Sequence, residues 1–343
     1  MRRGEHGGDW AAYQIQYHGM PLDFSANVSP MGIPAGVKRA LYQAVEEVNR
    51  YPDPLCRQLR ACLGRHHDVS SAQILCGNGA SDLIDRLVLA LRPKRGMVTA
   101  PAFSEYGQAL RRVGCQVEEF PLQRAEDFRM TARILERITP ALDILFLCEP
   151  SNPAGQTTDR ALLEKILERC DACGVLLVVD ECFEEFLLDR SHSMVSNLTG
   201  HHLLILRAFT KFYGLAGVRL GYCLCQEETL LEQMRLAGQP WPVSHLALEE
   251  TVYGDQLRAW TRRRREALRL ALTQLGCDVV PGQANYLLFF HRNSSLDQDL
   301  AQRGILIRNC ETYSGLGPGW FRVAVREEEA CRRLIQAMEE CVG

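Results

Sequence analysis

Between residues 73 and 224, short apolar runs alternate with stretches of helical periodicity. The runs at 73–76, 97–100, 117–121, 144–148, 176–179, 203–206 and 220–224 read as strands. Helical spacing fills the gaps, at 81–91, 105–113, 131–138 and 160–173. This alternation predicts an α/β fold, a mostly parallel seven-stranded sheet with helices on both faces. Ligands of such sheets bind beyond the carboxyl ends of the strands. Functional side chains are therefore expected just after each apolar run.

The flanks are organised differently. Residues 1–33 are rich in glycine, proline and polar side chains, and helices are expected at 34–48 and 56–65. Tyr51 lies in the break between them, beside Pro52 and Pro54. After a helix at 227–237, Pro240 and Pro242 mark a crossing. Beyond it come a helical region (244–275), a strand (286–290), a helix (296–303), strands at 305–308 and 321–325, and a final helix (328–342). A smaller α+β domain, 239–343, is expected to join with an arm, 1–45, beside a large domain, 46–238.

The 343 residues carry 39 basic and 42 acidic side chains, a net charge of −3. That balance offers no general attraction for nucleic acid or an anionic membrane. No apolar run approaches the roughly 20 residues of a membrane span, and the first residues turn polar at once, so a cytoplasmic protein is expected. Many of the 14 cysteines sit inside apolar runs and read as reduced, buried thiols. The pair Cys170 and Cys173 reads as helix packing, and no metal site is expected. The basic run 262–265 reads as a solvated helix face.

The chemistry lies at the run ends. Lys211 follows the sixth run among apolar and aromatic neighbours, where a lysine can lose its proton and attack a carbonyl. Arg219 suits an anion held nearby. Together they suggest a Schiff base to pyridoxal 5'-phosphate (PLP). Gly79, Ala80 and Ser81, between a strand and a helix, form a natural phosphate cradle. An aromatic in 101–106, Phe103 or Tyr106, could stack on a planar ring, and Asn152, between two prolines, could donate to a ring oxygen. Asp180 ends an apolar strand, where a carboxylate is costly without a positive partner. A protonated pyridine nitrogen would be that partner and would keep the ring an electron sink.

The order of these motifs resembles the PLP-dependent aminotransferases of aspartate-aminotransferase fold (PLP fold type I), over nearly the whole chain. The resemblance implies Lys211 as the Schiff-base lysine, Asp180 at the pyridine nitrogen, Asn152 at the ring hydroxyl and Tyr106 on the ring. It places Gly79, Ala80, Ser81, Thr210 and Arg219 around the phosphate. It also implies a homodimer with the cofactor site at the interface, Tyr51 reaching the neighbouring subunit's cofactor. Within the superfamily the chain is similar to the histidinol-phosphate aminotransferase branch. The narrower likeness is to members that act on L-threonine O-3-phosphate. It rests on His6-Gly7-Gly8, 22–27, 210–213, 240–243, 284–288, 305–308 and 321–326.

That likeness implies decarboxylation to (R)-1-aminopropan-2-yl phosphate in cobalamin biosynthesis. Aminotransfer to or from histidinol phosphate, or decarboxylation of L-serine O-phosphate, are the alternatives. Arg322 and Asn152 would meet the substrate carboxylate, and His6, Gly7, Asn27 and Arg308 its phosphate. Phe183 stands where the aminotransferases usually carry tyrosine. Four positions depart from the pattern. Ala208 replaces a usual serine, removing a hydroxyl contact to the cofactor phosphate of roughly 1 kcal/mol. Asp9 replaces an asparagine, and Ser151 and Ala154 alter a turn.

Overall fold

The structure, a computed structural model, describes residues 7–244 and 253–342. A short strand, β1 (Leu22–Asp23), precedes the seven strands of the large sheet. These are β2 (Ile74–Gly77), β3 (Arg95–Ala100), β4 (Gln116–Pro121), β5 (Ile144–Cys148), β6 (Leu176–Asp180), β7 (Leu203–Ala208) and β8 (Gly221–Cys225). Their spatial order is β2-β8-β7-β6-β5-β3-β4. Only β8 runs against the rest, antiparallel to both β2 and β7. The seven predicted runs are these seven strands, with ends shifted by one or two residues.

Strands covered on both faces read as unbroken apolar runs. β5, β6 and β7 are buried along their whole length. Alternate residues divide between two cores, as a period of two requires. Leu145, Leu147, Leu177 and Val179 pack with Leu163 and Ile166 on one side. Phe146, Val178, Leu204 and Leu206 pack with Leu83, Leu87 and Leu110 on the other. The helix at Arg160–Cys173 matches its expected span; Asp159 caps its start by accepting from the Leu162 N–H. The expected helix at 131–138 shrinks to Ile134–Arg137.

The smaller sheet is antiparallel, formed by β9 (Asp278–Val279), β10 (Tyr286–Phe290), β12 (Arg308–Asn309) and β13 (Trp320–Ala324) in the order β12-β13-β10-β9. β11 (Ile305–Leu306) pairs with β1 in parallel, so Leu22 faces Ile305 and Asp23 faces Leu306. The single strand expected at 305–308 is therefore two. Its first half serves the arm and its second half the sheet, where Arg308 pairs with Arg322. Phe24 is fully buried in the core of this smaller sheet with Leu268, Leu272 and Leu334. The long helix here is described over Tyr253–Gln274; the first part of the helical region expected at 244–275 lies outside the described residues. A helix at Trp10–Tyr17 was not expected; Asp9 caps it by accepting from the Ala12 N–H at 3.1 Å. A carboxylate suits a helix start, which accounts for aspartate at that position.

Candidate active site

A cavity of about 400 Å³ opens past the carboxyl ends of β5 and β6, between the large sheet and the smaller one. It collects Gly7, Asn27, Ala80, Ser81, Tyr106, Asn152, Asp180, Thr210, Lys211, Arg219, Arg308 and Arg322. Side chains expected from sequence positions 7 to 322 thus line one space. Gly79 sits directly behind Arg219. Tyr51 is not among the lining residues; it is 78% exposed and stacks on Trp241 at 4.6 Å. His6 lies outside the described residues.

Lys211 sits at the centre, its Nζ 5.9 Å from the ring centre of Phe183. Its main chain is pinned, because the Ser29 N–H donates to its carbonyl at 2.8 Å. Burial pushes its ammonium down to about 8, and the guanidinium groups of Arg322 and Arg219 add to the fall. Cys182 and Asp180 act the other way. An amine with that value is neutral in roughly a tenth of molecules at pH 7, against well under a hundredth for an ordinary lysine. Lys211 is thus a usable nucleophile.

Asp180, buried at the end of β6, takes neutral donors at both oxygens. The Tyr106 hydroxyl donates to Oδ2 at 2.5 Å and the Cys182 N–H to Oδ1 at 3.0 Å. A desolvated carboxylate of this kind favours a cation placed against it. Tyr106 is held edge and face: its ring stacks on Phe146 at 5.2 Å and 15°, and Phe103 meets it edge-on. Phe103, the other aromatic of that stretch, lines the same cavity and is the less buried of the two. It stands two residues past the proline that follows β3, whereas the resemblance pointed to Tyr106.

The helix Gly79–Leu91 points its first turn at the cavity, with unpaired N–H groups as helix starts have. Gly79 has φ +79°, and a Cβ there would come 2.8 Å from Arg219 Nη2. Only glycine lets the guanidinium lie against this turn. Arg219 also donates to the Ala216 carbonyl at 3.3 Å. Ala208 lines the wall as a methyl group, leaving Thr210 as the neighbouring hydroxyl.

The opposite end is cationic. Arg322 is buried; its Nη1 donates to Asn152 Oδ1 at 2.6 Å and its Nη2 to the Ser25 carbonyl at 3.0 Å. Its Nε is buried without a partner. Arg308, its register partner across β12 and β13, is equally buried, with its guanidinium 5.5 Å from the Tyr313 ring centre. Asn27 is buried beside them, its Oδ1 unpartnered. Two buried guanidinium groups side by side repel unless anions lie between them.

These residues fit PLP: an amine for its aldehyde, a desolvated carboxylate for its ring nitrogen, and the Gly79–Arg219 cradle for its phosphate. Asn152 has its acceptor taken by Arg322, which leaves its amide nitrogen to donate to a ring oxygen.

Residues 20–338 match the family described as aminotransferase class I and II. The threonine-phosphate decarboxylase of Salmonella typhimurium is 38% identical over 92% of this chain and 90% of its own length. The adenosylcobalamin biosynthesis bifunctional protein CobDQ of Leptospira interrogans is 26% identical over 98% of this chain and 41% of its own. The crystal structure of the histidinol-phosphate aminotransferase from Clostridium acetobutylicum superposes with a TM-score of 0.87 at 24% identity, covering 93% of this chain and 98% of that one. The chain belongs to the class I and II aminotransferase family, and its cofactor is pyridoxal 5'-phosphate.

Proposed function

We propose that this enzyme decarboxylates L-threonine O-3-phosphate, giving (R)-1-aminopropan-2-yl phosphate and CO2 for cobalamin biosynthesis. One observation carries the reading: two buried arginines, Arg308 and Arg322, stand directly opposite each other across β12 and β13 at the cationic end of the cavity. A substrate with two anions close together matches them. The 38% identity to the Salmonella decarboxylase supports the same assignment, and the Leptospira relative supports the pathway.

Bound PLP supplies an electron sink for the charge left on the substrate Cα. Lys211 is its covalent anchor and Asp180 keeps its ring nitrogen protonated. Gly79, Ala80, Ser81, Thr210 and Arg219 hold its phosphate, and Asn152 and Tyr106 orient the ring, with Phe103 covering it. Arg322, fixed by Asn152, binds the substrate carboxylate as a fork. Arg308, Asn27, Gly7 and His6 take the substrate phosphate. Holding both anions decides that the Cα–carboxylate bond, rather than the Cα–H bond, is the one weakened. CO2 leaves with that bond, and Lys211, as its ammonium, gives up the proton that Cα takes. The enzyme works as a cytoplasmic homodimer, with Tyr51 reaching the partner's cofactor phosphate.

Purified protein loaded with PLP is expected to release CO2 from threonine phosphate without a keto acid. Amino transfer from histidinol phosphate to 2-oxoglutarate, with no CO2 release, would overturn the assignment. Serine phosphate, one methyl smaller, is expected to be poorer by about 10–200-fold in kcat/KM.

A further inference from the structure

The turn that follows β1 carries a buried carboxylate with no role in the chemistry above. Asp23 is 4% exposed. Its Oδ1 accepts from the Ser25 N–H at 2.7 Å and the Ser25 hydroxyl at 2.6 Å; its Oδ2 accepts from the Trp10 indole N–H at 2.7 Å. Its carbonyl accepts from Arg326 Nε at 2.8 Å, just past the end of β13. The Ser25 hydroxyl in turn accepts from the Gly8 N–H at 2.8 Å, and the Ser25 carbonyl accepts from Arg322 Nη2.

We propose that Asp23 and Ser25 are positioning residues: they clamp segment 7–10 against the cavity and set the Arg322 guanidinium through the Ser25 carbonyl. The inference rests on the reading that Arg322 binds the substrate carboxylate. Two further observations support a clamp. A Cβ at Gly7 would lie 2.1 Å from the Ser25 carbonyl oxygen, so the segment packs backbone to backbone, with Gly7 and Ser25 both lining the cavity. Trp10, 43% exposed, is tied to the turn by its indole N–H rather than by deep burial. The Ser25 hydroxyl passes a polarised hydrogen bond from Gly8 to the Asp23 carboxylate, and such chains strengthen when every member is paired. One strand, β13, thus carries Arg322 and leads to Arg326, which holds the turn that orients Arg322.

The test compares Ser25→Ala, Asp23→Asn and Trp10→Phe with the wild-type holoenzyme. Ser25→Ala keeps the carbonyl on Arg322 and removes only the relay, so it remains informative if Asp23→Asn folds poorly. Without substrate, Ser25→Ala is expected to raise hydrogen exchange across residues 7–17 and to speed phenylglyoxal modification of Arg322, both read by peptide mass. With threonine phosphate, its KM is expected to rise, by less than the roughly 10–100-fold of a wholly lost hydrogen bond to a charged group because the Ser25 carbonyl stays on Arg322, with a smaller change in kcat. Ser25→Ala and Trp10→Phe remove donors from the two oxygens of one carboxylate, so their combined cost should depart from the sum of the single changes. Unchanged Arg322 reactivity, or a melting shift with KM untouched, would reduce the turn to a structural role and overturn the inference. If the wild type releases no CO2, the assigned reaction fails, while the exchange and labelling results still decide the clamp.

Discussion

Arg322 and Asn152 meet at 2.6 Å at the floor of the cavity, 170 residues apart in sequence, one on the smaller sheet and the other past the end of β5. The bond ties the group proposed to receive the substrate carboxylate to the group proposed to meet the cofactor ring. Arg322→Lys keeps the charge and loses the fork. Its kcat/KM for threonine phosphate should fall by about 10–100-fold, mostly through KM, while PLP content stays at the wild-type level. Loss of PLP alone, with KM unchanged, would move Arg322 from the substrate to the cofactor.

Gly79 offers a separate handle on the cofactor phosphate. Alanine there must hold a positive φ and push Arg219 Nη2 aside from 2.8 Å. We expect Gly79→Ala to destabilise the apoprotein by about 1–2 kcal/mol. Equilibrium dialysis against PLP should show weaker retention, by about tenfold for one displaced charged contact. Wild-type retention in this variant would place the phosphate elsewhere.

Lys211 can be checked without turnover. Borohydride treatment of the loaded protein should fix the mass of reduced PLP to the peptide carrying Lys211, and Lys211→Ala should lose both the label and all activity. A label on another lysine would refute the anchor directly.

Glu149, buried beneath the site, accepts from the Thr158 N–H at 2.9 Å and from the Thr158 hydroxyl. Burial pushes its carboxyl from 4.5 up to about 7; the Thr158 bonds oppose that rise and Glu181 adds to it. The folded protein therefore holds this proton more tightly than the unfolded chain. Stability falls as pH rises from about 4.5, and the loss is complete above about 7. Glu149→Gln does not titrate, so its melting temperature should exceed the wild type's at pH 8, with a gap worth about 1–3 kcal/mol that closes by pH 5. A gap independent of pH would assign the effect to packing instead.

Tyr51 and Trp241 stack on each other at 4.6 Å while staying 78% and 47% exposed. Large exposed aromatics of this kind mark an interaction surface. Sedimentation should find a dimer. Tyr51→Ala should weaken PLP retention, and adding Trp241→Ala should shift the protein toward monomer. A wild-type monomer that retains PLP would remove Tyr51 from the site.

The large sheet was legible because β5, β6 and β7 each hold an unbroken apolar run of four or five residues, a pattern that full burial imposes. The cavity residues were legible for the same reason, since topology sends strand ends to one edge. The aromatic pair was harder. Phe103 caps the helix Ser104–Arg112 and Tyr106 lies in its first turn. Which ring faces the cavity depends on helix phase, and a three-residue spacing does not reveal it. The helix Trp10–Tyr17 was hidden because its one buried residue is Tyr13, while Ile15 is 79% exposed, so no apolar stripe marks it. The division of 305–308 depends on a partner, β1, some 280 residues earlier, which no local pattern announces.

That distant pairing has a consequence for how the protein is made. Leu22 and Asp23 find their places only on Ile305 and Leu306, and the Phe24 carbonyl only on the Ala324 N–H. A chain still emerging from the ribosome can assemble its large sheet and cradle early. It has no wall for the substrate until residues 305–324 have followed, so that side of the cavity is completed only after the sheet and cradle.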